Sequence, residues 1–239
     1  MDNAEISNHI SKQFNQDLER VRGKVLTMGG LVEEQIVEAL KALRDADGSL
    51  GEQVIKSDIR INALEVEIDE ECTRIIARRQ PTAMDLRMIV TIIKTITDLE
   101  RIGDEAEKIG HLAVHLSEMK GPAYRHASGI EHIGELVRVM LRDVLDAFVR
   151  LDVDAAVEIT HRDFSVDREY ESLLRQLMTY MMEDPRSISS VLDVMWAARA
   201  LERIGDHAKN IGEYVVYLVK GKDIRHISPD AIAAEILDD

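Results

Sequence analysis

An internal repeat constrains the fold of this chain more than any other feature of its sequence. The string Leu-Glu-Arg-Ile-Gly-Asp at 99–104 recurs at 201–206, 102 residues later in a chain of 239. A repeat of this length predicts a tandem duplication of one structural unit. Because each copy carries Glu and Asp one helical turn apart, the duplication also predicts two related acidic sites.

The composition favours helices with an aliphatic core. Hydrophobic residues make up 45% of the chain, but only nine are Phe, Tyr or Trp, and the chain has only four prolines. Such a composition is typical of an all-α protein. The formal net charge of −15 argues against nucleic acid as a partner, because a nucleic-acid-binding surface is normally basic.

The sequence predicts a cytoplasmic protein without a membrane span. Residues 1–5 are not a basic segment followed by an apolar run, so no signal peptide is expected. No stretch of about eighteen uncharged apolar residues occurs, so association with a membrane is expected only through partners. Cys72 is the single cysteine, in keeping with a reducing compartment.

Capping signals and prolines divide the chain into six long helices. We expect them near 7–45, 49–78, 83–118, 128–151, 154–183 and 186–220. Short connections favour antiparallel neighbours, so the chain is predicted to form a tandem pair of antiparallel three-helix bundles related by internal duplication. The predicted domains are 1–120, 121–225 and a tail at 226–239, with a possible short helix after Pro229.

Acidic residues interrupt the apolar stripe of the third and sixth helices. On a helical wheel, Glu100 and Asp104 continue the stripe formed by residues such as Ile96, and Glu202 and Asp206 do the same in the second copy. The carboxylates therefore lie towards a semi-buried face. Gly103 and Gly205 stand beside them, where a missing side chain permits close approach.

The second and fifth helices carry a matching pattern one turn apart. Asp163 and Asp167 share an apolar stripe, and Asp58 and Asn62 occupy the corresponding positions 105 residues earlier. Clustered carboxylates on a semi-buried face repel one another, and their desolvation adds to the cost. Arg101 and Arg203 point about 100° away from the neighbouring Glu. We therefore interpret the clusters as cation sites, the alternative being ordinary surface ion pairs.

These motifs resemble those of the PhoU family, the bacterial regulators of phosphate uptake and phosphate signalling. The resemblance rests on 98–104 with Ile109, on 200–207 with 210–211, on Gln-Pro at 80–81 before 85–87, and on the Asp-x-x-Ile-Asn-x-Leu-Glu pattern at 58–65. It covers nearly the whole chain. It implies two three-helix bundles in a pseudo-twofold relation.

The resemblance also implies metal ligands. Glu/Asp-x-x-x-Asp motifs of the family hold multinuclear clusters of iron, zinc, manganese or magnesium, and no organic cofactor is expected. The matching residues are Glu100, Asp104, Asp163, Asp167, Glu202 and Asp206, with an imperfect match at Asp58 and Asn62. Because the Asn62 amide brings no charge, the pattern ranks the second repeat above the first as a metal site.

Family membership implies a non-enzymatic negative regulator of phosphate uptake and of the phosphate-starvation response. Its implied partners are a sensor histidine kinase, the ATPase subunit of the phosphate ABC transporter, and a second copy in a homodimer. The alternative is a helical-bundle metalloenzyme, an oxidase or phosphatase that uses the carboxylates. An enzyme normally needs a general acid or base beside the metal. The repeated faces carry only His111, with Glu213 at the equivalent position, so regulation is favoured.

The clustered methionines, the single tryptophan and His207 have simpler interpretations. Met178, Met181, Met182 and Trp196 are expected to pack in the core or between domains. His207 projects about 100° from the acidic face, which favours a surface or inter-helix position.

Overall fold

The computed structural model describes residues 3–119, 128–225 and 227, and long helices dominate these ranges. The helices are α1 (Asn3–Asp45), α2 (Gly48–Arg79), α3 (Ala83–Glu118), α4 (Ser128–Arg150), α5 (Val153–Glu183) and α6 (Ile188–Lys220). A 3₁₀ turn at Pro185–Ser187 precedes α6. The six predicted helices are confirmed; the largest difference is that α1 begins four residues earlier than expected.

The connection between the first and second helices has the same structure in both repeats, which reflects the duplication. Ala46 and Leu151, 105 residues apart, both adopt the left-handed conformation, with φ of 47° and 55°. Each is followed by an aspartate that caps the next helix: Asp47 accepts from the Leu50 amide and Asp152 from the Ala155 amide, both at 3.0 Å. Because these caps satisfy otherwise free amides, they fix where α2 and α5 begin.

The helices form two three-helix bundles that share one core. α1, α2 and α3 pack together, as do α4, α5 and α6, and α3 packs along α6 between the bundles. The core is aliphatic, with Phe148 its largest fully buried side chain. The predicted fold class, an all-α tandem pair of antiparallel three-helix bundles, is confirmed.

The α3–α6 contact is antiparallel and holds buried polar groups. Asp98 lies against His207, and further towards the end of α3, His115 lies against Asp193. Residues late in one helix thus meet residues early in the other. The inter-helix position expected for His207 is confirmed.

Part of the predicted domain division lies outside the described residues. The predicted boundary between the first two domains, at 120–121, lies within 120–127, which are outside the described residues. The possible helix after Pro229 also lies outside. The domain bounds 1–120, 121–225 and 226–239 therefore stay a prediction.

Two expectations about core packing are wrong. Trp196 is 64% exposed, and Met178 and Met182 are 47% and 76% exposed; of this group only Met181 packs against the core. The reason is the helix face on which Trp196 lies. Ile188, Leu192 and Trp196 are spaced four residues apart and therefore share one face of α6. That face points outward, and all three side chains are exposed.

Among the described helices, each is too polar or too short to meet the requirements for crossing a bilayer.

Candidate metal centre

The first acidic cluster is assembled from all three helices of the first bundle. α1 contributes Gln35, α2 contributes Asp58 and Asn62, and α3 contributes Glu100, Asp104 and Glu107. We call these six residues the first cluster. The structure thus brings together the four residues that the sequence predicted for this repeat and adds Gln35 and Glu107.

Asp58 is the buried centre of the first cluster. It is 4% exposed, and it accepts hydrogen bonds from Asn62 Nδ2 at 2.7 Å and Gln35 Nε2 at 3.2 Å. With their nitrogens used in this way, Gln35 Oε1 and Asn62 Oδ1 are buried without a hydrogen-bond partner. Buried oxygens of this kind are rare in folded proteins, and a cation would satisfy them.

Gly103 gives the cluster oxygens room to converge. A Cβ at this position would lie 3.0 Å from Asp58 Oδ1 and 3.3 Å from Gln35 Oε1. The helix therefore lacks a side chain at the point where two oxygen donors approach it. This is the close approach that the sequence predicted for the repeated glycine.

Glu107 joins two aspartates in a group whose oxygens are close enough to share a metal ion. Within the described ranges, Asp58, Asp104 and Glu107 form a group whose ligand atoms all lie within 4.8 Å of one another. The sequence analysis missed Glu107, although it follows Asp104 by three residues, a spacing that places two side chains on neighbouring parts of a helix face.

Three carboxylates of the first bundle have a raised pKa. Burial, followed by the charge of Asp104, raises the pKa of Glu100. Burial and the neighbouring Asp58 raise the pKa of Asp104. Burial and Asp69 raise the pKa of Glu65, on the adjoining turn of α2. Since none of these three is in an ion pair in the described structure, a bound cation would relieve the repulsion.

The second cluster occupies the same place in the second bundle but contains two bases. It consists of Asp163 and Asp167 from α5 with Arg199, Glu202, Asp206 and Lys209 from α6. Lys209 Nζ donates to Asp163 Oδ2 at 2.7 Å, and Arg199 donates to Glu202 Oε1 at 2.6 Å. Arg203 points away from the cluster, as expected, but the sequence analysis did not consider Arg199 and Lys209, which pair with the cluster acids.

Burial still affects the acids of the second cluster. It is the main cause of the raised pKa of Asp167, Glu202 and Asp206, and neighbouring carboxylates add to it. Lys209 and Arg199 act in the opposite direction. Burial is the largest single effect on Lys209 and works to lower its pKa, but the hydrogen bond to Asp163 and the charges of nearby carboxylates together outweigh it and raise that pKa overall. Glu202 Oε2 is the cluster oxygen left buried without a partner.

The donor set of the first cluster fits a hard cation. Its ligand atoms are carboxylate and amide oxygens, the donors that magnesium and manganese take in proteins. Two of these oxygens lack partners, and Gly103 leaves them space. The first cluster therefore fits a hard cation better than the second, the reverse of the ranking expected from Asn62.

A second polar network lies between the bundles, on the contact between α3 and α6. His207 Nδ1 and Asn210 Nδ2 donate to Asp98 Oδ1 at 2.7 and 3.1 Å. Arg203 lies 3.1 Å from the buried Glu105. These pairs join α3 to α6, so Arg203, the arginine in the second copy of the repeated motif, pairs across the bundles with Glu105.

The family profile described as PhoU domain matches twice, at residues 25–113 and 130–215. The chain belongs to the PhoU family. Each match covers one bundle, so each bundle of this PhoU-family chain corresponds to one PhoU domain.

Curated PhoU relatives match over nearly the full length. A Pseudomonas putida protein named phosphate-specific transport system accessory protein PhoU homolog is 55% identical, over 97% of this chain and 90% of its own. The Escherichia coli phosphate-specific transport system accessory protein PhoU is 50% identical over 97% and 95%. These names place the family in the phosphate-specific transport system.

Solved PhoU structures share the fold. The crystal structure of PhoU from Pseudomonas aeruginosa matches with a TM-score of 0.84 and 55% identity, covering 87% of this chain and 100% of that one. The phosphate transport system regulatory protein PhoU from Streptococcus pneumoniae matches with a TM-score of 0.80 and 30% identity, covering 88% and 98%.

Proposed function

We propose that this protein is a non-enzymatic, cytoplasmic negative regulator of phosphate uptake and of the phosphate-starvation response. It acts as a homodimeric scaffold that contacts the ATPase subunit of the phosphate ABC transporter and a sensor histidine kinase. The proposal rests on the relatives named as accessory proteins of phosphate transport and on a surface suited to protein contact.

That surface is an exposed apolar patch at one end of the second bundle. Its residues are Met178 and Met182 near the end of α5 and Ile188, Leu192 and Trp196 near the start of α6, each of them exposed, and we call this set the α5–α6 patch. Apolar patches on water-exposed surfaces commonly mark interaction sites. Tryptophan is enriched among the residues that dominate binding energy, and methionine adapts to differently shaped partners.

Trp196→Ala is expected to weaken binding to the kinase or to the ATPase subunit by about 30-fold or more, since a binding hot spot contributes about 2 kcal/mol or more. The measurement is calorimetric titration with each purified partner, together with a phosphate-starvation reporter, which should be derepressed. Val37→Ala, at an exposed position on α1, is the control.

Wild-type affinity of Trp196→Ala for both partners would remove the α5–α6 patch from the proposal. Failure of the unaltered protein to bind either partner would refute the scaffold. Clear phosphatase or oxidase turnover by metal-loaded protein, abolished in Asp206→Ala, would favour the metalloenzyme.

We further propose that the protein binds a metal ion through the acidic clusters, with magnesium, manganese, iron and zinc as the candidates. The candidate ligands of the first repeat are Asp58, Asn62, Glu100, Asp104 and Glu107. The corresponding acids of the second repeat, the alternative site, are Asp163, Asp167, Glu202 and Asp206. The two unpartnered oxygens beside Asp58 support this proposal most strongly.

Manganese(II) at about 100 times its dissociation constant is expected to raise the melting temperature by about 5–10 °C, because such a ligand stabilises the folded state by about 2.7 kcal/mol. Asp104→Asn should abolish most of the gain, since it removes one charge from the first cluster. Differential scanning calorimetry measures both. Asp85→Asn, in the first turn of α3, should behave as wild type, and indifference of the unaltered protein to all four metals would refute the proposal.

A further inference from the structure

We propose that the two repeats have diverged in how they neutralise their acids: the first cluster binds a metal cation, whereas in the second cluster Lys209 and Arg199 replace it. The inference rests on the proposed metal binding and specifies which repeat performs it.

Equivalent positions in the two repeats carry opposite chemistry. With the register of the repeated motif, Lys209 corresponds to Glu107 and Arg199 to Thr97. Glu107 joins Asp58 and Asp104 in the group whose ligand atoms lie within 4.8 Å of one another. Lys209 instead places its ammonium 2.7 Å from Asp163, the counterpart of Asp58. The same position thus adds a ligand in one repeat and a counter-ion in the other.

The structure supports this register independently of the sequence. The carboxylate nearest Gly103 is that of Asp58, and the carboxylate beside Gly205 is that of Asp163, with Oδ1 3.0 and 3.5 Å from the respective ideal Cβ positions. The buried aspartate of each repeat therefore occupies the same place against the same glycine, so the comparison between Glu107 and Lys209 is between like positions.

Two further positions extend the difference. Glu65 and Asp69 on α2 correspond to Tyr170 and Leu174 on α5. The Arg199 guanidinium lies 5.9 Å from the centre of the Tyr170 ring, a cation–π contact that helps hold the base in place. The first repeat thus surrounds its cluster with more acid, and the second replaces that acid with support for its own cation.

A divalent ion would be poorly accommodated in the second cluster. The ion would compete with Lys209 for Asp163 and with Arg199 for Glu202, and both bases would repel it. Glu202 Oε2 is the single buried oxygen there without a partner. In the first cluster, Gln35 and Asn62 each provide one buried oxygen without a hydrogen-bond partner, and Gln35 is only 1% exposed.

The test is a titration with manganese(II), followed by the paramagnetic resonance signal of the free ion, which counts bound ions per chain. Glu107→Lys should lower the affinity of the first cluster by about 100-fold or more, beyond the loss caused by a supporting residue. Lys209→Glu should add a second class of bound ions. The double variant should bind through the second repeat alone, so that Asp206→Asn and no longer Asp104→Asn abolishes binding.

Lys209→Gln, which replaces the charged ammonium with a neutral amide, should also add a second class of bound ions, and it serves as the test if Lys209→Glu does not fold. The divergence would be overturned if Asp206→Asn reduced metal binding as strongly as Asp104→Asn and neither Lys209 variant bound additional ions. That result would leave the metal proposal standing. Absence of binding by the unaltered protein and every variant would overturn both.

Discussion

Asp98→Ala is expected to lower the free energy of unfolding by about 3–5 kcal/mol, because it leaves two donors at the contact between the bundles without their shared acceptor, at a cost of about 1–3 kcal/mol each. Asp98 is 3% exposed and accepts hydrogen bonds from His207 and Asn210 across the contact between the bundles. Alanine would leave His207, itself 8% exposed, without its acceptor. Urea denaturation at pH 7 measures the loss.

A matched control exists on the same contact. Asp193 pairs with His115 between the same two helices at 2.9 Å, but the His115 side chain is 53% exposed. Because water can replace the lost partner there, Asp193→Ala should cost less than about 1 kcal/mol. Equal losses in the two variants would mean that burial of the Asp98 pair does not decide its contribution.

Glu213→Gln is expected to stabilise the protein above neutral pH by up to about 3 kcal/mol. Glu213 is 8% exposed. Burial is the main cause that raises its pKa from 4.5 to about 7; Asp223 and Asp163 add to the rise, and Lys209 and Arg225 oppose it. The folded state therefore holds this proton more tightly than the unfolded state does.

The sign follows from that difference. The stability contributed by protonated Glu213 is fully present below about pH 4.5 and is lost as the pH rises through about 7. Glutamine stays neutral, so the gain should be large at pH 8 and small at pH 5 when unfolding free energies are compared. Glu169→Gln, at an exposed position, is the control. A gain of equal size at both pH values would show that ionisation of Glu213 is not its cause.

The acidic clusters illustrate both the reach and the limit of sequence reasoning. Helical periodicity predicted an inward-facing position for Glu100, Asp104, Glu202 and Asp206. The structure places all four near Asp58 or Asp163 of their own bundle, but Asp206 is exposed, so its predicted burial is wrong. The bases of the second cluster could have been found from the same sequence, because Arg199 precedes Glu202 by three residues and Lys209 follows Asp206 by three. Among basic residues, the helical wheel was applied only to Arg101 and Arg203, which directly follow the glutamates, so it did not include these bases.

Gln35 is different, because no local pattern links it to the clusters. It lies on α1, 23 residues before Asp58, and contacts it only because α1 packs against α2. The exposure of Trp196 also could not be predicted from the local sequence. Its stripe on α6 is apolar and therefore predicts a core position, but in the structure no described element covers it.

The amino-acid sequence by itself determined the duplicated all-α fold, the helix limits and the acidic faces, because all of these follow from periodicity and capping within a few turns of chain. Tertiary packing alone decided which side chains from different helices meet. It brought Gln35 to Asp58, Lys209 to Asp163 and His207 to Asp98. These contacts between helices decide whether a buried carboxylate lies beside a basic side chain or beside an amide oxygen without a partner. The sequence could not decide this, because electrostatic attraction and desolvation depend on distances in space and not on separation along the chain.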